Sequence, residues 1–465
     1  MTERLSSIDA ACLHLEEPAC LMTITALLWS DVPWDLERLE DVLRERLVAR
    51  YPRFRRRVVA GGGPLPGAHW RDVPDFRLEA HLRRVVLPPP GGQAALEALV
   101  SESLRLPLDR TKPLWELVLV EGVGPGSALL VRVHHAIADG ISLARVLLSL
   151  TDEDTGGRAS REELEGAGEE ELLPLVRLLK GARSVVDSTK AAWRRGRELV
   201  AEPFQLMDLA IQGAKGASVL SRLLSLPVEP PSPFRGEVGV EKRVAWSQPV
   251  PVAELRELGL ATGSTVNDVV LAAASGALRR HARERGMPAE DLRAAVPVNL
   301  RPMSEPLPRE LGNQFGLVLL DLPVGVEEPL KRLGVLKRRM DALKRSPEAG
   351  VFFGLLSAVG YAPPALQRRV AEVASAAATL VMTNVPGPKR PVFLAGTPLA
   401  GVMFWVPLPV RLGLGLSLFS YAGQVRLSVS ADAGLVPEPR ALVEAFHEEL
   451  KALRAAASSS SAGGR

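Results

Sequence analysis

The stretch that most constrains the fold is Pro398–Tyr421, the longest apolar run in the chain. A helix crossing a bilayer needs about 20 apolar residues without breaks. This run carries Pro407, Pro409 and Arg411, followed by Leu412-Gly-Leu-Gly-Leu-Ser-Leu418, which alternates with a period of two. Alternation is a strand signal. Arg411–Tyr421 and Gln424–Ala431 are therefore expected to form a hairpin around a Gly423 turn. The chain is expected not to span a membrane.

Other segments mix the same two periods. Trp115–Val120, Leu129–Val133, Arg293–Val298 and Gly316–Val324 read as strands, and Val381 and Met382 end another. Leu36–Tyr51, Ala94–Leu104, Ile141–Leu150, Val266–Arg285 and Pro437–Leu453 carry helical spacing. The expected class is α/β. At roughly 150 residues per domain, 465 residues allow three domains or two large ones. The composition favours two mixed halves, 1–150 and 236–456, joined by a helical connector over 151–235. That connector is acidic from Asp152 to Glu171, then basic and amphipathic to Leu226, and closes on Pro227–Pro233. Its basic amphipathic face suits a membrane interface, or packing across the halves. The last residues, 457–465, within a small-residue run from Ala455, are expected to be a disordered tail.

Charge narrows the partners. Lys and Arg number 57 against 54 Asp and Glu, a net charge of +3, which argues against a nucleic-acid binder. Cys12 and Cys20 are the only cysteines, so neither a disulfide framework nor a cysteine-based zinc site is expected, and no metal is assigned. Met1–Asp9 lacks the apolar core of a signal peptide, which makes the cytoplasm the expected location. Mean hydropathy is slightly positive, at +0.09.

His134-His135-Ala-Ile-Ala-Asp139-Gly140 carries the chemistry. It follows a strand and precedes a helix, and the chain has only seven histidines. Adjacent strand residues point to opposite faces, so the two histidines take different tasks: one braces the turn and the other faces a cleft. A neutral imidazole is the natural base for a hydroxyl proton near pH 7. Gly140 permits a tight turn and an unobstructed N–H that suits an oxyanion.

This segment resembles the His-His-x-x-x-Asp-Gly motif of the coenzyme A-dependent acyltransferase superfamily. Several flanking segments look like its bacterial wax ester synthase/diacylglycerol acyltransferase branch. They are Leu5-Ser-Ser-Ile-Asp9-Ala-Ala-Cys-Leu-His14, Pro113-Leu-Trp115, Val266-Asn267-Asp268-Val269, Pro297-Val-Asn299-Leu-Arg301 and Asn384-Val-Pro-Gly-Pro388, in order along the chain. The Asp-Phe-Gly-Trp-Gly of the plant branch is absent. The resemblance implies two chloramphenicol-acetyltransferase-like halves with mixed sheets and an active-site channel at their interface. It implies transfer of a long-chain acyl group from acyl-coenzyme A, a substrate rather than a cofactor, to diacylglycerol or a long-chain alcohol. It leaves room for peripheral attachment at the inner membrane face or on lipid droplets. A condensation-type enzyme with a specialised acceptor, or a catalytically silent lipid-binding relative, are the alternatives.

By the same resemblance His135 is the general base and His134 the brace. Direct attack fits a chain with no Gly-x-Ser-x-Gly elbow and no cysteine near the motif for a covalent acyl-enzyme. Asp139 either pairs with Arg301 or simply caps the following helix. Thr265 and Asp268 are expected to form a capping box, and Asn267 either belongs to that cap or meets substrate. Thr383 and Asn384 either line the channel or satisfy their own turn. Trp115 is expected to pack. The basic run Arg53-Phe-Arg-Arg-Arg57 reads as a solvated strand edge, with coenzyme A phosphates or anionic lipid as the alternative.

Overall fold

A computed structural model of the chain describes residues 2–60, 67–153, 227–301 and 305–462. Most of the described residues are organised around two mixed sheets. In chain order, their strands are β1 (Thr23–Ser30), β2 (Leu82–Val86), β3 (Trp115–Val123), β4 (Gly126–His134), β5 (Lys242–Trp246), β6 (Leu292–Asn299), β7 (Phe315–Leu322), β8 (Leu380–Pro386), β9 (Gly401–Trp405), β10 (Leu414–Tyr421) and β11 (Gln424–Asp432).

The first sheet has the order β9-β1-β4-β3-β2, with β2 parallel to β3 and the other pairs antiparallel. Every residue of β4 is buried. Leu129, Val131 and Val133 enter one core, whereas Ala128 and Leu130 enter another on the opposite face. A strand covered on both sides reads as a near-continuous apolar run, and that is what the sequence shows. β4 ends at His134, so the motif sits at the rim of a rigid central strand.

The second sheet has seven strands. β11, β10, β8, β6 and β7 follow in order, and β5 and the short strand Val250–Pro251 both pair with β11. β8 runs parallel to β6 and to β10, so the carboxyl ends of β6 and β8 lie at the same end of the sheet. Helices α1 (Ser7–His14) and α2 (Gly140–Leu148) belong to the first half, and α3 (Val266–Glu284) is buried along most of its length in the core of the second. Its first turn is closed by a reciprocal Thr265–Asp268 capping box.

The halves are laced together. β9 comes from the second half of the chain yet pairs antiparallel with β1, from Gly401 opposite Trp29 to Trp405 opposite Thr25. A Cβ on Gly401 would come within 2.0 Å of the Trp29 ring, so a side chain there would have to displace it. Phe393–Leu394 pairs in the same way with Thr151–Asp152.

Several boundaries differ from expectation. The hairpin strand begins at Leu414 rather than Arg411, because Arg411 takes a positive φ of 65° in the preceding turn. The last helix runs Pro439–Ala462, so the expected tail is helical as far as described. Leu450 and Leu453 anchor that helix in the core, Ala455–Ala457 propagate it, and the Ser458 and Ser459 hydroxyls bond back to the carbonyls of Arg454 and Ala455. Helices at Pro329–Leu343, Glu348–Val359 and Pro364–Ala376 were not expected. The amphipathic part of the connector lies outside the described residues. The Pro227–Pro233 stretch is described and packs on the second half, where Glu229 accepts the backbone N–H of Arg293 at 2.6 Å. Among the described residues no helix is long and apolar enough to cross a membrane.

Candidate active site

The two histidines leave β4 in different directions. His134 is buried and braces the turn: its Nδ1 accepts the Ala136 N–H at 3.0 Å, and its Nε2 lies 3.1 Å from Glu16 Oε2. Glu16 also accepts from Arg110 and from the Met22 N–H. Burial raises the Glu16 pKa, but hydrogen bonds from His134, Arg110 and the Met22 N–H bring it down to about 2. The backbone of Leu114, in Pro113-Leu-Trp115, accepts the His134 N–H at 2.9 Å. Trp115 is buried, donates to the Phe54 carbonyl at 2.7 Å and stacks on His81.

His135 is half-buried and its backbone N–H is held by the Met22 carbonyl at 2.7 Å. Its ring lies 5.4 Å from that of Phe315, centroid to centroid, and its Nδ1 lies 2.8 Å from Asn313 Oδ1. Burial lowers its pKa, while the charge of Asp139 and the Asn313 contact oppose the shift only in part. The imidazole is therefore neutral at pH 7.

Behind His135 stands a network that sequence reasoning missed. Asn313 Nδ2 donates at 2.7 Å both to Asp9 Oδ1 and to the His135 carbonyl. Asp9 is fully buried, and its Oδ2 accepts from Arg53 Nη1 at 3.0 Å. The same guanidinium nitrogen reaches the carbonyls of Ala136 and Ile137 at 3.0 and 3.2 Å. Arg53 is therefore no solvated strand edge. It is buried, as is Arg56, which pairs with Glu3 and Asp72. The acidic partners lie too far away in sequence for a local charge count to find them.

Cys12 corrects a second expectation. No cysteine neighbours the motif in sequence, yet Cys12 Sγ lies 3.9 Å from His135 Nδ1. Burial, reinforced by the charge of Asp9, pushes its pKa far above the usual thiol range. It stays a thiol, and the thiolate is the nucleophilic form.

Asp139 caps helix α2 (Gly140–Leu148): Oδ1 accepts the Ser142 N–H at 2.7 Å. Its Oδ2 accepts the Gln314 N–H at 3.0 Å, which ties the helix to the loop carrying Asn313. Arg301 does not pair with Asp139. Its Nη1 donates to Ser142 Oγ at 2.7 Å, one turn along the same helix start. Asp139 spends its two oxygens on backbone N–H groups, and Arg301 is left with the nearby hydroxyl. Gly140 is half-buried, and a Cβ built on it meets nothing within 4 Å. Neither packing nor a positive φ demands glycine there, and the open space lies at the motif itself.

The second half brings a further group. Asn384 Nδ2 donates to Asn267 Oδ1 in a close contact, joining the end of β8 to the start of α3. Asn267 is fully buried and its Nδ2 has no partner. Thr383, which precedes Asn384 on β8, is buried, and Asp268 gives Oδ2 to the capping box while its buried Oδ1 has no hydrogen-bond partner. Asn384 also rims a small apolar cavity walled by Leu271, Val296, Leu320, Met340, Leu343 and Met382. Arg301 follows β6, and Phe315, which packs on His135, lies opposite Asn299 at that same end of the sheet. The parallel β6 and β8 thus carry both groups toward one edge, the carboxyl end, where open α/β sheets place ligands. Among the described residues no group of His, Cys, Asp or Glu could hold a metal ion.

Residues 5–270 match the family model of the wax ester synthase/diacylglycerol acyltransferase catalytic domain, and residues 311–454 match that of its C-terminal domain. A putative diacylglycerol O-acyltransferase of Mycobacterium tuberculosis is 28% identical over 97% of this chain and 90% of the relative. The probable diacylglycerol O-acyltransferase tgs2 of the same species is 31% identical over 89% of this chain and 90% of its own length. Among solved structures, the wax ester synthase/diacylglycerol acyltransferase of Marinobacter aquaeolei superposes with a TM-score of 0.69 at 23% identity. That match covers 98% of this chain and all of the other. The first condensation domain of the calcium-dependent antibiotic synthetase gives a TM-score of 0.60 at 18% identity, over 97% and 95% of the two chains. These two likenesses bear on the fold.

Proposed function

The chain belongs to the wax ester synthase/diacylglycerol acyltransferase family, and from that premise we propose that it moves a long-chain acyl group from acyl-coenzyme A to the hydroxyl of diacylglycerol or a long-chain alcohol. The observation that carries the reading is His135, a neutral, half-buried imidazole at a junction built from both halves. It takes the hydroxyl proton as the alcohol oxygen attacks the thioester carbon. The tetrahedral intermediate collapses, the C–S bond breaks, and the imidazolium returns the proton to the departing thiolate. The products are an ester and free coenzyme A.

Direct attack is supported by the state of Cys12, whose burial keeps it protonated beside His135. The open space at Gly140 leaves room for the reacting groups at the start of α2, where N–H groups favour developing negative charge. Asn267 Nδ2, buried without a partner, suits a polar atom of substrate. No cofactor takes part. We place the protein in the cytoplasm at a lipid surface. Exposed Leu366, Val370 and Val373 share one face of the Pro364–Ala376 helix and favour such contact.

The test is an ester-forming assay with palmitoyl-coenzyme A and either diolein or hexadecanol, following thiol release and lipid product together. Ester that depends on His135 supports the reading, and absence of ester with both acceptors overturns it. Radiolabelled acyl chains retained on the denatured protein would overturn direct attack alone.

A further inference from the structure

The hydrogen bonds around Asn313 have a direction that geometry alone decides. A carboxylate and a backbone carbonyl only accept hydrogen bonds. Asn313 meets one of each, Asp9 Oδ1 and the His135 carbonyl, both at 2.7 Å from the same atom. That atom must be the amide nitrogen, so the amide oxygen is the one facing the ring, 2.8 Å from His135 Nδ1. An amide oxygen cannot donate. The neutral ring must therefore carry its proton on Nδ1, which leaves the lone pair on Nε2.

The rest of the network holds that amide in place. Asp9 cannot turn away, because Arg53 Nη1 pins its other oxygen at 3.0 Å and the Asn313 N–H reaches Oδ1 at 3.3 Å. Arg53 is itself fixed on the carbonyls of Ala136 and Ile137, just beyond the histidines. The loop that delivers Asn313 is strained: Leu311 takes a φ of 52° and Gly312 a φ of 95°. A branched side chain in the left-handed region is strained and persists where its surroundings demand it. A Cβ on Gly312 would sit 3.5 Å from the Arg53 guanidinium, so the loop is seated directly on this network.

The geometry points to Asn313 as a positioning residue that, held by Asp9 and Arg53, selects the Nδ1–H tautomer of His135 and so presents Nε2 as the proton acceptor. Nearby groups do not do this instead. Asp139 spends both oxygens on backbone N–H groups, and His134 is engaged with Ala136 and Glu16. Cys12 Sγ is a weak partner at 3.9 Å. The catalytic importance of this choice rests on His135 being the base, but the tautomer itself does not.

Nitrogen-15 NMR of the full-length protein, with labelled histidine at pH 7.5, reads the tautomer directly, and His135→Gln assigns the signals. Wild type is expected to show a protonated Nδ1 and an unprotonated Nε2 at His135. Asn313→Leu should mix or reverse the two and lower kcat by about tenfold or more, as a base offered in the wrong tautomer loses its share of general-base catalysis. Its KM for acyl-coenzyme A should change little. Asp9→Asn offers one oxygen where Asn313 Nδ2 and Arg53 Nη1 use two, so it should loosen the amide and mix the two tautomers. A protonated Nε2 in wild type would overturn the inference without any variant having to fold, as would an unchanged tautomer in folded Asn313→Leu. A protein that makes no ester yet shows this tautomer would sink the proposed function and leave the inference standing.

Discussion

Asp139 Oδ2 accepts the backbone N–H of Gln314 at 3.0 Å, while its other oxygen caps the helix that starts at Gly140. One side chain thus secures a helix start in the first half and a loop of the second, next to Asn313. Asp139→Ala removes both bonds. The loss is expected to be about 2–3 kcal/mol, from a lost cap and a lost charge-assisted bond. Urea denaturation measures it. A double-mutant cycle should find coupling between Arg301 and Ser142, but little between Arg301 and Asp139.

The pH dependence of turnover has a defined sign. The base must be neutral, and burial lowers the His135 pKa. The acid limb of the kcat/KM profile should therefore fall at a pH below the ordinary histidine value, with full activity at pH 7. His135→Ala should lower kcat by about 10²–10⁴-fold and abolish that limb. A limb above the ordinary value in the wild type would contradict the burial argument.

Arg53 separates structure from ligand binding. Its partner Asp9 is fully buried, so Arg53→Met strands a carboxylate in the protein interior. Breaking a buried pair in this way costs about 3–5 kcal/mol. The expected outcome is a large drop in Tm. A coenzyme A phosphate contact would instead raise the KM for acyl-coenzyme A with Tm unchanged.

Glu16 links the histidine turn to acid stability. Its folded pKa of about 2 lies below its unfolded value, so its contribution is present above the unfolded pKa and disappears as pH falls toward 2. The Glu16→Gln variant should be less stable than wild type at pH 7. The gap should close as pH drops from about 4.5 toward 2, the range between the unfolded glutamate value and the folded one. Chemical denaturation at several pH values checks this.

What could be read from the sequence was local. The strand, turn and helix around His134–Gly140 lie within one short stretch, and the Thr265–Asp268 box spans a single helical turn. The period-two alternation of the second half marked the hairpin to within a few residues. What escaped was contact between distant segments. Nothing around Asn313 announces that it faces a histidine 178 residues away. A basic run near residue 55 looks solvated until Asp9 and Glu3 are seen beside it. The Glu348–Val359 helix carries apolar residues all round, without a clear polar face, so no helical period stands out. The serine-rich end looked unstructured because propensity was judged without the docked helix it extends.

The strand Gly401–Trp405 acts as a stitch between the two parts of the chain. Peeling the halves apart would mean unzipping a buried ladder of backbone bonds, not swinging a hinge. A chain severed near its midpoint would leave the Thr25–Trp29 edge bare, an adhesive border that invites aggregation instead of an independent half-enzyme.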